Sequence, residues 1–187
     1  MSQSVLVTGA ASGMGHATCR LLSRRGYTVI GVDIDAEGLG RLREEAAARS
    51  VHVVDLADEA SIRGELGGMR VDSLVNVAGL GPDAKRPEAI WSVNLLAPLR
   101  LASAVEVREG GSIVNVASVT GELADEAHAG LLDDPLRPEF LPDVISVLGD
   151  GPLAYTYSKW AILRETERMA VRCAPSIRVN AVSPGII

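Results

Sequence analysis

The chain has 187 residues, enough for one domain that buries about 70% of the surface its unfolded form would expose. A hydrophobic fraction of 47%, a charged fraction of 22% and 19 glycines exclude disorder, collagen and a coiled coil. The net charge of -6 would repel a phosphate backbone or an anionic bilayer.

The 18 positive side chains are scattered and include only two lysines, Lys85 and Lys159. Neither nucleic acid nor membrane is therefore an expected partner. Cys19 and Cys173 have no Cys or His at ligand spacing, so neither a disulfide framework nor a metal site is indicated and a reducing, cytoplasmic location is the default. The uncharged stretch 1–19 lacks the basic start of a signal peptide. No other segment approaches a membrane-spanning length.

In chain order, residues 4–8, 28–32, 51–54, 73–77, 112–117 and 178–182 read as six strands, mostly apolar on both faces, as in a buried parallel sheet. Between them, residues 16–25, 36–49, 58–69, 88–108 and 155–172 carry apolar side chains at helical spacing, such as Leu39, Leu42 and Ala46. Strand and helix alternate with right-handed crossovers, which predicts an α/β, doubly wound sheet of order 3-2-1-4-5-6 with ligands at the carboxyl ends of the strands. Residues 120–152 hold four of the nine prolines and are expected to form an insertion, a lid or binding loop rather than another βα unit.

Thr8-Gly9-Ala10-Ala11-Ser12-Gly13-Met14-Gly15 follows the first strand and opens the first helix. Glycines there let the backbone turn tightly and approach a pyrophosphate, which sits on free N–H groups at the positive end of the helix. The spacing departs from the common G-x-G-x-x-G fingerprint, and a plain glycine-rich turn is the competing reading. Asp33, at the end of strand two, suits the two adenosine ribose hydroxyls and repels a 2'-phosphate, which favours NAD over NADP. Asp35 fits better as the cap of the following helix.

Tyr155-Thr-Tyr-Ser-Lys159 adds the Tyr-x-x-x-Lys pattern, and with it the whole chain resembles the short-chain dehydrogenase/reductase family. Asn76-Val-Ala78-Gly79 is similar to that family's Asn-Asn-Ala-Gly after strand four. Asn94 and Ser118 match its catalytic Asn and Ser, and Ser183-Pro184-Gly185 its nicotinamide-side turn. The resemblance implies a single Rossmann domain over residues 1–187. It also implies a cofactor site of Gly9, Ser12, Gly13, Met14, Gly15, Asp33, Ile34, Asp55, Leu56, Asn76, Ala78, Gly79, Tyr155, Lys159, Pro184 and Gly185, with no metal. The long gap between Ser118 and Tyr155 resembles the bacterial 3α-hydroxysteroid dehydrogenase/carbonyl reductase branch. Family members continue past the Pro-Gly turn with a substrate loop, a helix and a seventh strand, and these are absent from this chain.

The chemistry fits the spacing. Hydride leaves a carbinol carbon for the nicotinamide while a base within hydrogen-bond reach takes the hydroxyl proton. A phenol of pKa about 10 is a poor base at neutral pH, and lowering it by roughly three units takes about 4 kcal/mol. An ammonium about 4 Å away supplies that order of energy at an effective dielectric near 20. Lys159 stands at i+4 from Tyr155, one helical turn away on the same face.

Tyr157 has Ala161 at that position and is expected to pack or to touch substrate. Ser118 is expected to orient the substrate oxygen. By resemblance, Asn94 bends its helix and holds a water leading to Lys159. Its plainer alternative is an ordinary helical Asn.

These features predict an NAD-dependent interconversion of a secondary alcohol and a ketone, with a hydroxysteroid or other bulky carbonyl compound as substrate. The alternatives are a non-catalytic NAD-binding module or sensor, and an inactive truncated fragment. In many relatives the helices around Asn94 and Tyr155 pair across subunits. An insertion beside them predicts a homodimer or monomer rather than a tetramer.

Overall fold

The structure is a computed structural model that describes residues 2–84, 86–149 and 151–185. Strands β1 (Ser4–Thr8), β2 (Thr28–Asp33), β3 (Ser50–Val53), β4 (Arg70–Asn76), β5 (Glu106–Val116) and β6 (Arg178–Val182) form one sheet in the order β3-β2-β1-β4-β5-β6. All five pairings are parallel. This is the expected doubly wound α/β fold.

The pleat of β1 shows how the sequence divides the core. Side chains alternate between faces along a strand, so Val5 and Val7 pack with Cys19, Leu39 and Leu42 under α1 (Gly13–Arg24) and α2 (Ala36–Glu44). Leu6 points the other way. It joins Leu74, Ile62, Leu66, Ile90 and Trp91 in the larger cluster, against α3 (Glu59–Leu66), α4 (Pro87–Trp91), α5 (Ala97–Ala104) and α7 (Gly151–Cys173).

Several boundaries differ from the sequence expectation, each for a local reason. The second helix stops at Glu44 rather than 49, where Ala46 takes φ 52° and Ala47 N donates to Leu42 O. The third spans Glu59–Leu66, capped by Asp58 through Ala60 N and Ser61 N and followed by Gly67 and Gly68. The expected helix 88–108 contains a π-helical turn, Ser92–Leu96, between α4 and α5. Its last residues belong to β5, whose first rung pairs Arg70 with Glu106.

The insertion is not a loose lid. It forms two 3₁₀ turns, Val119–Leu123 and Glu126–Leu132, and a helix, α6 (Phe140–Leu148). Phe140, Val144 and Leu148 are buried in the main core, and the Phe140 ring meets Trp91 edge-on at 5.8 Å. Helix α7 starts at Gly151, so Tyr155 lies a turn inside it rather than at its beginning.

Candidate active site

The turn from β1 into α1 is built on close backbone approach. Gly9 takes φ 68°, and a Cβ there would lie 2.9 Å from Ala78 N and Cα, while a Cβ on Gly15 would strike the Gly9 carbonyl. The turn therefore docks against the Ala78 backbone only because both positions lack a side chain. Ser12 is the N-cap of α1 in extended conformation, and its side chain makes no capping bond. The first amides of α1 are thus left for an outside acceptor. Beside them, Asp33 Oδ2 accepts from Ala11 N at 3.0 Å and its Oδ1 from Asp35 N at 3.0 Å, which fixes the carboxylate at the end of β2. Asp35 caps α2 through Glu37 N and Gly38 N.

Two adjoining cavities run along the carboxyl ends of the strands. The first, about 460 Å³, is lined by Ser12, Asp33, Ile34, Asp55, Leu56, Ala78 and Gly79. The second, about 150 Å³, is lined by Met14, Gly79, Ser118, Tyr155, Lys159, Pro184 and Gly185. Gly79 and Leu80 line both, so the two form one crevice.

Gly9, Gly13 and Gly15 shape the turn without lining either cavity. Asn76 lies deeper, where its Nδ2 donates to Asn115 Oδ1 at 2.8 Å. Asn115 Nδ2 donates in turn to Thr166 Oγ1 at 2.9 Å, tying β4 and β5 to α7.

Lys159 is 4% exposed. Its Nζ donates to Val116 O at 2.9 Å and lies 5.9 Å from the centre of the Tyr155 ring. Burial pulls the ammonium down from its ordinary 10.5 to about 8, because desolvation penalises its charged form. Asn94 sits in the π turn, a distortion that recurs at functional sites. Its Oδ1 accepts from Leu80 N at 2.8 Å, and its Nδ2 donates to Leu80 O at 3.0 Å and Ser158 Oγ at 3.2 Å. Asn94 Oδ1 and Lys159 Nζ both lie 3.3 Å from the point that a Cβ on Gly79 would occupy. The wound-out helix thus sets the carboxamide and the buried amine against the same glycine.

Ser118 follows β5 by two residues and caps the next 3₁₀ turn. Its Oγ accepts from Thr120 Oγ1 at 2.8 Å and Thr120 N at 3.3 Å. Both lone pairs are engaged, so its own proton is left to donate elsewhere. Tyr157 is a different tyrosine: its hydroxyl donates to Asp125 Oδ1 at 2.8 Å, tying the insertion to α7. That bond pulls the Asp125 carboxyl down, while burial first and then Asp125 push the Tyr157 phenol up.

Sequence reasoning missed Thr120, Ser158 and Val93, the last a wall of the larger cavity. Their spacing carries no signal, because each contact depends on how the chain folds. Among the described residues, no group of three or more His, Cys, Asp or Glu is placed to hold a metal, and no helix is long and apolar enough to cross a membrane.

The parallel sheet of order β3-β2-β1-β4-β5-β6 agrees with the comparisons. The family profile described as short chain dehydrogenase matches residues 3–129. The chain belongs to the short-chain dehydrogenase family. A coniferyl-alcohol dehydrogenase of Pseudomonas sp. (strain HR199 / DSM 7063) is 31% identical over 206 residues, covering 98% of this chain and 72% of that protein. A 4-hydroxyisoleucine dehydrogenase mutant, solved with NADH and succinate, superposes with a TM-score of 0.72 at 25% identity, covering 98% of this chain and 73% of that one. A metagenomic short-chain oxidoreductase solved with NADP gives 0.72 at 26% identity, covering 100% and 84%.

Proposed function

We propose that the chain is an NAD-dependent oxidoreductase that interconverts a secondary alcohol and a ketone. The observation that carries this is the convergence of Ser118, Tyr155 and Lys159 on one cavity that adjoins the Asp33 cavity. The fit to a dinucleotide rests on the uncapped amides of α1 and on the glycine turn, whose Gly13 has nothing within 4 Å of a would-be Cβ. The turn and those amides would hold the pyrophosphate, Asp33 the adenosine ribose, and Asp55 with Leu56 the adenine side. Tyr155, Lys159, Pro184 and Gly185 would hold the nicotinamide half. A bound nicotinamide supplies the hydride acceptor or donor.

The side chains handle the proton. Tyr155 takes the hydroxyl proton as an alcohol becomes a ketone and returns it in reduction. Lys159 sets a positive charge beside the phenol, and Asn94 supports proton exchange at that amine. Ser118 donates to the substrate oxygen, because Thr120 already occupies its lone pairs. Asp33 favours NAD, since its fixed carboxylate repels a 2'-phosphate. The insertion, which the chain shares with the hydroxysteroid dehydrogenase branch it resembles, supports a hydroxysteroid or other bulky carbonyl substrate.

The test follows absorbance of the reduced cofactor with a panel of hydroxysteroids, bulky secondary alcohols and small alcohols, using NAD and NADP in parallel. Turnover is expected with NAD in preference to NADP. Tyr155→Phe is expected to lower kcat by about 10²–10⁴ in a protein that still binds NAD. Full turnover in that variant refutes the proposal.

A further inference from the structure

Helices α3 and α5 lie side by side on the outer face of the larger core, and the insertion crosses them at residues 135–141. Between them is a depression of about 400 Å³ that shares no residue with the crevice. Its wall includes three arginines, Arg63, Arg100 and Arg137, and a single carboxylate, Glu59.

The pairing of these groups is uneven. Glu59 Oε1 accepts from Arg63 Nε at 2.8 Å, and its Oε2 lies 3.2 Å from Arg100 Nε. One carboxylate is shared by two guanidinium groups, and each is approached through its inner nitrogen. Arg100 Nε is buried, yet it lacks the geometry of a hydrogen bond, although its side chain is only 20% exposed. Among the described residues, the terminal nitrogens of Arg63 and Arg100 donate to no protein acceptor. Arg137 differs. It is committed to Asp143 Oδ2 at 2.6 Å and to the carbonyls of Leu131 and Asp134, and its guanidinium lies 5.5 Å from the centre of the Phe140 ring.

Two free guanidinium forks on neighbouring helices, sharing one neutralising carboxylate, leave a net positive charge facing the depression. Such forks recognise planar or tetrahedral oxyanions by paired hydrogen bonds. A carboxylate offers two oxygens, which one fork satisfies. A phosphoryl group offers three and can meet both. The space exceeds what a bare phosphate needs, and Leu96, Phe140 and Leu141 supply apolar wall for an organic body.

We propose that this depression is a second ligand site, separate from the crevice, that binds a phosphate ester of a small apolar molecule through Arg63 and Arg100. The test is calorimetric titration with phenyl phosphate, benzoate and inorganic phosphate on the full chain saturated with NADH, and again without NADH. Phenyl phosphate is expected to bind in both states, more tightly than benzoate, with inorganic phosphate competing. Arg63→Gln and Arg100→Gln are each expected to weaken phenyl phosphate about tenfold, the scale of a lost charged hydrogen bond. Arg70→Gln, whose partner is Glu106 elsewhere, should leave it unchanged. Arg63 is 64% exposed, so its variant reports binding even where that of Arg100 fails to fold. Affinity unchanged in the Arg63 variant, benzoate binding as tightly as phenyl phosphate, or no saturable binding overturns the proposal.

Discussion

At the level of single residues, Lys159 carries a measurable signature. Below about pH 8 its amine is charged in the folded and the unfolded chain alike, and between about 8 and its ordinary 10.5 only the unfolded chain keeps the proton. The unfolded state then binds more protons, so stability rises with pH across that window and levels off above it. Lys159→Met lacks this titration. The stability of the parent chain relative to this variant should therefore grow by about 3 kcal/mol between pH 7.5 and 10.5, at 1.36 kcal/mol per unit, as read from urea midpoints. A flat difference would show that the amine is not desolvated. The Tyr155–Lys159 pair was legible in the sequence because one helical turn is a local geometry. Thr120 was not, since its contact with Ser118 depends on how the chain turns after β5.

At the level of elements, the insertion is where composition misled. Prolines and acidic residues suggest a surface loop, but Phe140, Val144 and Leu148 recur every four residues, a helical stripe, and the structure buries all three. The stripe was visible; its partner Trp91, far off in sequence, was not. Because Phe140 is fully packed, Phe140→Ala should lower unfolding stability by about 3–5 kcal/mol. The urea transition should shift as one step with an unchanged slope. A detached lid would instead leave the main transition in place. The early start of β5 is hidden in the sequence for the opposite reason. Glu106 and Arg108 lie at the exposed rim, where strand residues need not be apolar.

At the level of the whole molecule, the insertion covers part of the outer faces of α5 and α7. Asp133, Asp134, Pro135 and Leu136 share a groove with Leu99 and Ser103 of α5 and with Glu165 and Arg168 of α7. The segment therefore lies over both helices. It is pinned there: Arg168 donates to Asp133 Oδ1 and to the buried Glu165 Oε1, each at 2.6 Å, and Arg164 stands 3.8 Å from the same Asp133. Two copies cannot bring these helix faces together without displacing that network. Displacement would break the ion pairs of Asp133 with Arg168 and Arg164, while Arg168 keeps its bond to the buried Glu165 on the same helix. A covered helix face is lost to any symmetric assembly that would pair through it, and a monomer or a homodimer through another face is the expectation. Light scattering on the purified chain is expected to give the mass of a monomer or homodimer at all accessible concentrations, and a stable tetramer would refute this assignment. Asp133→Asn with Arg168→Gln loosens the segment without touching the crevice. If larger assemblies appear only in that double variant, the network is the barrier to association.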